Sequence, residues 1–404
     1  MYRKIVKKGI GEKMKKPAFI ICMLLLVLTA SCGSESAKKE WNEEATATTK
    51  KTETQKVDYP NGEGEESIPC FWGEYMAASQ NGYYYWLSVD GRNQLRFFDR
   101  EAEVSVPVCN KAECEHNTED CNAYYPKILL DTKENDTYAS PILQFYEGSI
   151  YTIGCDSQKN ICLYQISADG SERKKVVNLY RVDFLGDTWE SPTVWLHKGY
   201  VYYVDVRERK QKLAKKKLKS NAEEEIVFQT ENDRSEIYRI KSYDNSIYFQ
   251  VAEYTEDETK GNLYCYDTQK EHTDIIKEKV IAPYGVIGKK VYYASTTGNY
   301  CYDIESKKEI MFSEKSSSDY PDELETFGEY IYIVSDDKKL NIYDTSGEIV
   351  YQGMPDKQVN RYYFGDDKRI FANVMNEEGN PSLMYLSLDQ IDVKQISWKE
   401  VDQM

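Results

Sequence analysis

From about residue 67 onward the chain repeats one hydrophobic pattern: a turn pair, then a short strand of aromatic and β-branched residues. It reads Asn81-Gly82-Tyr83-Tyr84-Tyr85, Glu147-Gly148-Ser149-Ile150-Tyr151 and Lys198-Gly199-Tyr200-Val201-Tyr202. It returns as Asp244-Asn245-Ser246-Ile247-Tyr248, Gly288-Lys289-Lys290-Val291-Tyr292, Gly328-Glu329-Tyr330-Ile331-Tyr332 and Asp367-Lys368-Arg369-Ile370-Phe371. A second strand follows most copies and often ends in Asp, as in Leu95-Arg96-Phe97-Phe98-Asp99 and Leu263-Tyr264-Cys265-Tyr266-Asp267. Similar runs close on Asp303 and Asp344, whereas the third copy has no clean second strand.

The last aromatic of each copy falls at 85, 151, 202, 248, 292, 332 and 371. A repeat of about 40–50 residues built from short strands is the signature of a β-propeller with four strands per blade. One blade is apolar on both faces, so it is stable only between neighbours, and closing the ring removes the exposed ends. The reading is all-β, a propeller of seven blades over 67–404, with six or eight blades also fitting because copy one is long and copy three degraded. The Asp residues that end strands (Asp99, Asp267, Asp303, Asp344) occupy equivalent places, which points to turn chemistry rather than paired catalytic carboxylates.

The first 66 residues do not share the pattern. Met14-Lys15-Lys16, an apolar run over 18–28 and then Leu28-Thr29-Ala30-Ser31-Cys32 resemble a bacterial lipoprotein signal starting at Met14. Thr29 stands where the motif usually has Leu, and a signal cleaved without lipidation is the alternative. On the first reading residues 1–32 are the signal, Cys32 carries the lipid, and two acyl chains give a stable membrane anchor. Residues 33–66 hold almost no large apolar side chain and predict a flexible tether spanning ~30 Å.

Composition narrows the function. The 404 residues include 35 Tyr beside 12 Phe and 6 Trp, favouring strands, and carry a formal charge of -16. The charge argues against a nucleic-acid partner. One basic run interrupts it: Arg207, Arg209, Lys210, Lys212, Lys215, Lys216, Lys217 and Lys219. It reads either as a patch for an anionic glycan or wall polymer, or as a solvated hairpin balanced by Glu223-Glu224-Glu225.

Ten Cys are present, two of them in the first 32 residues. Cys109, Cys114, His116 and Cys121 have the donor inventory of a structural Cys3His zinc site, although C-x4-C-x-H-x4-C is not a standard knuckle. A disulfide among these cysteines and an ordinary loop remain open beside the metal clip. Cys155 and Cys162 flank a hairpin tip, where a cross-strand disulfide is an alternative; Cys265 and Cys301 read as buried small hydrophobes. In an antiparallel blade the crossover to the next blade and the hairpin between strands two and three share one face. The cysteine segment, the Cys155–Cys162 hairpin and the basic run are therefore expected on one rim.

The signal, tether, Tyr-rich repeats and cysteine segment together resemble extracytoplasmic lipoproteins of anaerobic Gram-positive gut bacteria that carry a Tyr-rich β-propeller-like domain of unknown function. That resemblance implies an extracytoplasmic propeller and a common structural role for the Cys-x4-Cys-x-His segment, and brings no ligand or activity. The sequence has no Gly-x-Ser-x-Gly elbow and no Gly-rich phosphate loop, and no catalytic residue is assigned. The function expected is a membrane-anchored module for a glycan or protein ligand, with one structural zinc as the only cofactor the residues suggest. The runner-up is a carbohydrate-active hydrolase or lyase with its site at the channel mouth.

Overall fold

The computed structural model describes residues 76–89, 92–118, 120–125, 142–156, 158–181, 193–255, 259–280, 282–314, 322–375, 381–389, 391 and 396–403. The signal, Cys32 and the tether lie outside the described residues. Within them the chain is all-β, with no helix, and forms seven antiparallel sheets in chain order.

Blade 1 is Met76–Ala78, Gly82–Val89, Arg92–Asp99 and Val104–Pro107; blade 2 is Leu143–Tyr146, Ser149–Cys155, Asn160–Ser167 and Arg173–Arg181. Blade 3 is Val194–His197, Tyr200–Asp205, Lys212–Lys217 and Glu225–Gln229; blade 4 is Ser235–Tyr243, Ser246–Tyr254, Thr259–Asp267 and His272–Glu278. Blade 5 is Tyr284–Ile287, Lys290–Ala294, Gly298–Asp303 and Glu309–Glu314; blade 6 is Glu323–Phe327, Tyr330–Val334, Leu340–Asp344 and Ile349–Gly353. Blade 7 is Gln358–Phe364, Arg369–Met375, Pro381–Ser387 and Lys399–Glu400. The aromatic repeats are strands two and three of each blade. First strands of neighbouring blades touch one another, so strand one lines the axis and strand four the perimeter.

The turn pairs before strand two do what their sequence suggests. Glu147-Gly148 and Lys198-Gly199 all have positive φ (45°, 74°, 47° and 79°), the geometry whose twist matches a two-residue hairpin. The strand-ending Asp residues cap the next turn: Asp99 Oδ1 accepts the N–H groups of Glu101 and Ala102, and Asp344 Oδ1 those of Ser346 and Glu348. Asp267 and Asp303 do the same one blade apart.

Seven apolar clusters hold the sheets together, one at each junction. Tyr84 and Phe145 stack between blades 1 and 2, and Phe327 and Phe364 between blades 6 and 7. The cluster that joins blade 7 to blade 1 packs Tyr83, Phe98, Phe371 and Tyr385, all 2 % exposed or less. Each such side chain contributes roughly 1.5–3 kcal/mol of burial, and the presence of the seventh cluster is what makes the array a ring. Polar contacts reinforce that junction. Asp366 of blade 7 takes a hydrogen bond from Tyr83 Oη at 2.9 Å and pairs with Arg100 at 2.7 Å. Beyond blade 7 the chain adds a last strand, Asp402–Gln403, in parallel to Val104–Pro107 on the outer edge of blade 1.

Blade 3 explains its weak sequence signal. Its third strand is Lys-rich, and only Leu213 and Ala214 supply buried apolar side chains there. Lys215 is nevertheless buried, because its ammonium reaches Tyr266 Oη at 3.0 Å and Glu271 at 2.9 Å in blade 4.

Candidate metal centre and inter-blade groove

The outer strand position of blade 1 is filled twice. Val104–Pro107 pairs with the later half of strand three, and Tyr124–Tyr125 pairs with its earlier half at Gln94 and Asn93. Between them the chain leaves the sheet. Val108 N–H donates to Leu95 O, and Leu95 N–H donates to Ala123 O, so both ends of the excursion are pinned to one residue. Left-handed backbone at Glu113 (φ 57°) and His116 (φ 54°) folds the loop back on itself. Two turn bonds, Cys121 N–H to Thr118 O and Tyr124 N–H to Cys121 O, hold Cys121 in the interior.

This geometry gathers the four donors. One ligand atom from each of Cys109, Cys114, His116 and Cys121 lies within 4.8 Å of the others, and His116 Nδ1 is 3.3 Å from Cys121 Sγ. Tetrahedral zinc at its usual bond lengths separates its ligands by roughly 3.5–3.8 Å, so the cluster can hold such a metal with small closure. The three cysteines are free thiols here. The electrostatics favour the ligand form at His116 and Cys114 and oppose it at Cys121. Burial, and then the Arg96 charge, hold the His116 imidazole below its usual pKa, in the neutral form a ligand needs. The His116 backbone N–H, helped by the neighbouring thiols and Lys111, lowers the Cys114 thiol, whereas burial and the other two sulfurs push Cys121 up to about 12. Three thiolates and a divalent ion sum to one negative charge, and Arg96 and Lys111 stand beside it.

The apolar core of the loop is Cys121, Ala123 and Tyr124, with Cys109 and Cys114 packed against them. The loop rests on blade 2, where Asn122 Nδ2 donates to Gly170 O at 2.7 Å. Gly170 belongs to the turn between strands three and four of blade 2. This corrects the expectation of one shared rim: the cysteine segment departs from the middle of an outer strand rather than from its end, so it meets the opposite hairpin. The Cys162 hairpin and the Arg207 hairpin, both joining strands two and three, do share a rim.

Cys162 lies opposite Gly154, and Cys155 opposite Ile161, one step away from direct pairing. The Cys162 thiol is buried, 3.2 Å from Asn160 O and Asn178 Oδ1; the side chain of Cys155 lies outside the described residues. Cys301 sits in the core between blades 5 and 6, whereas Cys265 is half-buried and packs against the core between blades 4 and 5; burial raises both thiols.

The basic run is largely neutralised by carboxylates. Arg207 pairs with buried Asp205, Arg209 with Asp233, Lys212 with Glu208, Lys215 with Glu225 and Glu271, and Lys216 with Glu224. Lys217 lies over the Tyr200 ring, and Lys210 and Lys219 are exposed. The glutamates that follow the run thus meet it directly.

Near the axis, strand-one side chains bridge blades. Gln144 exchanges two hydrogen bonds with the Leu196 backbone, and Trp195 Nε1 donates to Ser242 Oγ. Lys241 of blade 4 pairs with Glu325 of blade 6, both almost fully buried. The intervening blade offers Gly285, where any Cβ would collide with the Thr326 side chain.

A recess that the sequence did not signal opens on the flank between blades 3 and 4. It has a volume of about 930 Å³ and is lined by Phe228, Asn232, Glu253, Asn262, Tyr264 and Ile275, among others. Its residues come from the outer strand of blade 3, the following loop and all four strands of blade 4, so no local motif marks it.

Fold and site together define a seven-bladed β-propeller bearing a Cys3His cluster. No protein-family model matches the chain, and no curated protein matches it in sequence. Among solved structures it is similar to a prolyl endopeptidase, at 10 % identity and TM-score 0.54 over 83 % of this chain. That likeness spans 50 % of the endopeptidase chain. It is similar to an oligogalacturonate lyase in complex with manganese, at 13 % identity and TM-score 0.50, covering 80 % of this chain and 90 % of that one. An oligogalacturonate lyase from Vibrio parahaemolyticus follows at 12 % identity and TM-score 0.46, covering 63 % and 74 % of the two chains. At such identities the likeness shows the fold alone.

Proposed function

We propose that this chain is an extracytoplasmic lipoprotein, anchored through Cys32, whose propeller is a ligand-binding module. One structural zinc ion at Cys109, Cys114, His116 and Cys121 clamps the edge of blade 1. Zinc would supply folding energy there, since four protein ligands leave no open position for catalysis.

The observation that carries the binding reading is the flank groove, whose volume falls within the ordinary range of ligand sites. A hydrolase or lyase at the channel mouth is the competing reading. A ligand screen with plant, mucin and wall polysaccharides and with extracellular proteins, scored for retention and for cleavage, tests the proposal. Retention without cleavage is the expected result; shortening of any polysaccharide would establish the enzyme reading instead. For the anchor, labelled palmitate should enter the wild type and not Cys32→Ala.

A further inference from the structure

We infer that the groove between blades 3 and 4 binds a neutral oligosaccharide strand, laid against Tyr264 and Ile275. This rests on the binding-module reading and deepens it.

The groove's Tyr264 and Ile275 are set in register over a core ring, Phe249. Phe249, Tyr264 and Ile275 are direct cross-strand partners in blade 4, so they stand side by side on one face. That face runs outward from fully buried Phe249, through half-buried Tyr264, to Ile275, which is 50 % exposed. The Tyr264 ring lies nearly parallel to Phe249, with centroids 5.4 Å apart and planes 12° apart. Phe228 of blade 3 tilts against it at 4.9 Å. Held by rings from two blades, Tyr264 is fixed before any ligand arrives, which removes the ordering cost of binding. A rigid aromatic beside an exposed aliphatic side chain makes a platform for the apolar C–H face of a sugar ring.

The rim supplies oriented polar groups. Asn232 Nδ2 donates to Glu253 Oε1 at 2.7 Å, and Asn262 Oδ1 accepts the Lys279 N–H at 3.3 Å. Amides and a carboxylate held in this way match the dense hydroxyl pattern of a carbohydrate.

Charge selects among carbohydrates. The lining carries Glu231, Glu253 and Glu278 against Lys260 and Lys279. A polyanion therefore meets no net attraction in the groove. In the neighbouring basic hairpin Arg207, Lys212, Lys215 and Lys216 are paired with their own carboxylates, which leaves Lys210, Lys217 and Lys219 as its exposed lysines. A neutral, hydroxyl-rich chain fits both the platform and the rim.

Affinity electrophoresis of the full chain in detergent tests the inference, using xyloglucan, galactomannan and arabinoxylan as neutral probes and polygalacturonate as the anionic one. At least one neutral polymer should retard the protein and polygalacturonate should not. Tyr264→Leu and Ile275→Ala should each weaken that retardation about tenfold or more; Ile275 is exposed, so its variant keeps the fold. Retardation by polygalacturonate alone overturns the inference. So does neutral-polymer binding that survives both substitutions, or binding of a protein ligand only; in those cases the module reading stands. Failure to retain any polysaccharide or protein defeats both.

Discussion

Lys241, on the inner strand of blade 4, reaches past blade 5 and pairs with Glu325 on the inner strand of blade 6, with side-chain exposures of 8 % and 6 %. The Tyr284 ring of the intervening blade lies beneath the ammonium, 5.5 Å from centroid to nitrogen. Two charges this deep need compensation, and the buried Arg239 side chain acts electrostatically on Glu325 beside Lys241. Lys241→Met should lower stability by removing the ammonium that pairs with Glu325, by less than the ~3–5 kcal/mol of a fully broken buried pair because Arg239 remains nearby, and adding Glu325→Leu should recover part of that loss. Thermal or urea unfolding of the three proteins checks it; a double variant no better than the single would contradict the pairing.

The cysteine loop has too small an apolar core to hold its own shape. Purified protein should carry about one zinc per chain, and chelation should lower the melting temperature, because binding energy is folding energy. His116→Ala should abolish the bound metal and leave a disulfide nearly untouched. Metal-free protein whose mass rises on reduction would replace the clip with a disulfide; metal-free protein with three free thiols and unchanged stability would remove both.

Gly170 is where that loop meets blade 2. Its φ is 71°, and a Cβ there would run into the Val108 carbonyl. Gly170→Ala should therefore lower stability by about 1–3 kcal/mol from the strained φ, with the clash adding to it. The loss should exceed that of an Ala substitution at an open turn glycine such as Gly199, where an added methyl would meet nothing within 4 Å. Comparing the two melting temperatures decides the point.

Asp156 follows the second strand of blade 2 and accepts the N–H groups of Gln158 and Asn160, the Asn160 side chain and the Lys175 ammonium. Burial alone would raise its carboxyl, but these donors outweigh it and hold the group well below the usual carboxylate range. A folded-state pKa below the unfolded value of about 3.9 means stability is present above that pH and lost as the pH falls through the folded value. Wild type should lose stability on acidification below about pH 4. Asp156→Asn should be less stable at neutral pH and show a shallower acid decline; parallel pH profiles would refute the assignment.

The aromatic strands are legible in the sequence because each carries its own apolar pairs and turn, independent of distant residues. The third strand of blade 3 is not, since Lys215 and its neighbours reach the core or its edge through long stems and meet partners in other strands. The spacing of Cys109, Cys114, His116 and Cys121 names the candidate metal ligands but not the place where their loop rests. Nothing local shows that Val104–Pro107 and Tyr124–Tyr125 occupy one outer edge, because that is set by pairing with strand three. The flank groove leaves no trace, since Phe228 and Ile275 come together only when two blades stack.

The repeat, the all-β class and the turn chemistry of Asp99, Asp267, Asp303 and Asp344 can be read along the chain, which fits seven blades and leaves six or eight open. Those depend on periodicity and on contacts within a few residues. The carboxylates that meet the basic hairpin, the resting place of the cysteine loop, the pairing of Lys241 with Glu325, the blade count and the position of the groove emerge from packing alone. Each of these joins residues from different strands or blades, and side-chain reach across a twisted stack is not encoded in the order of neighbours along the chain.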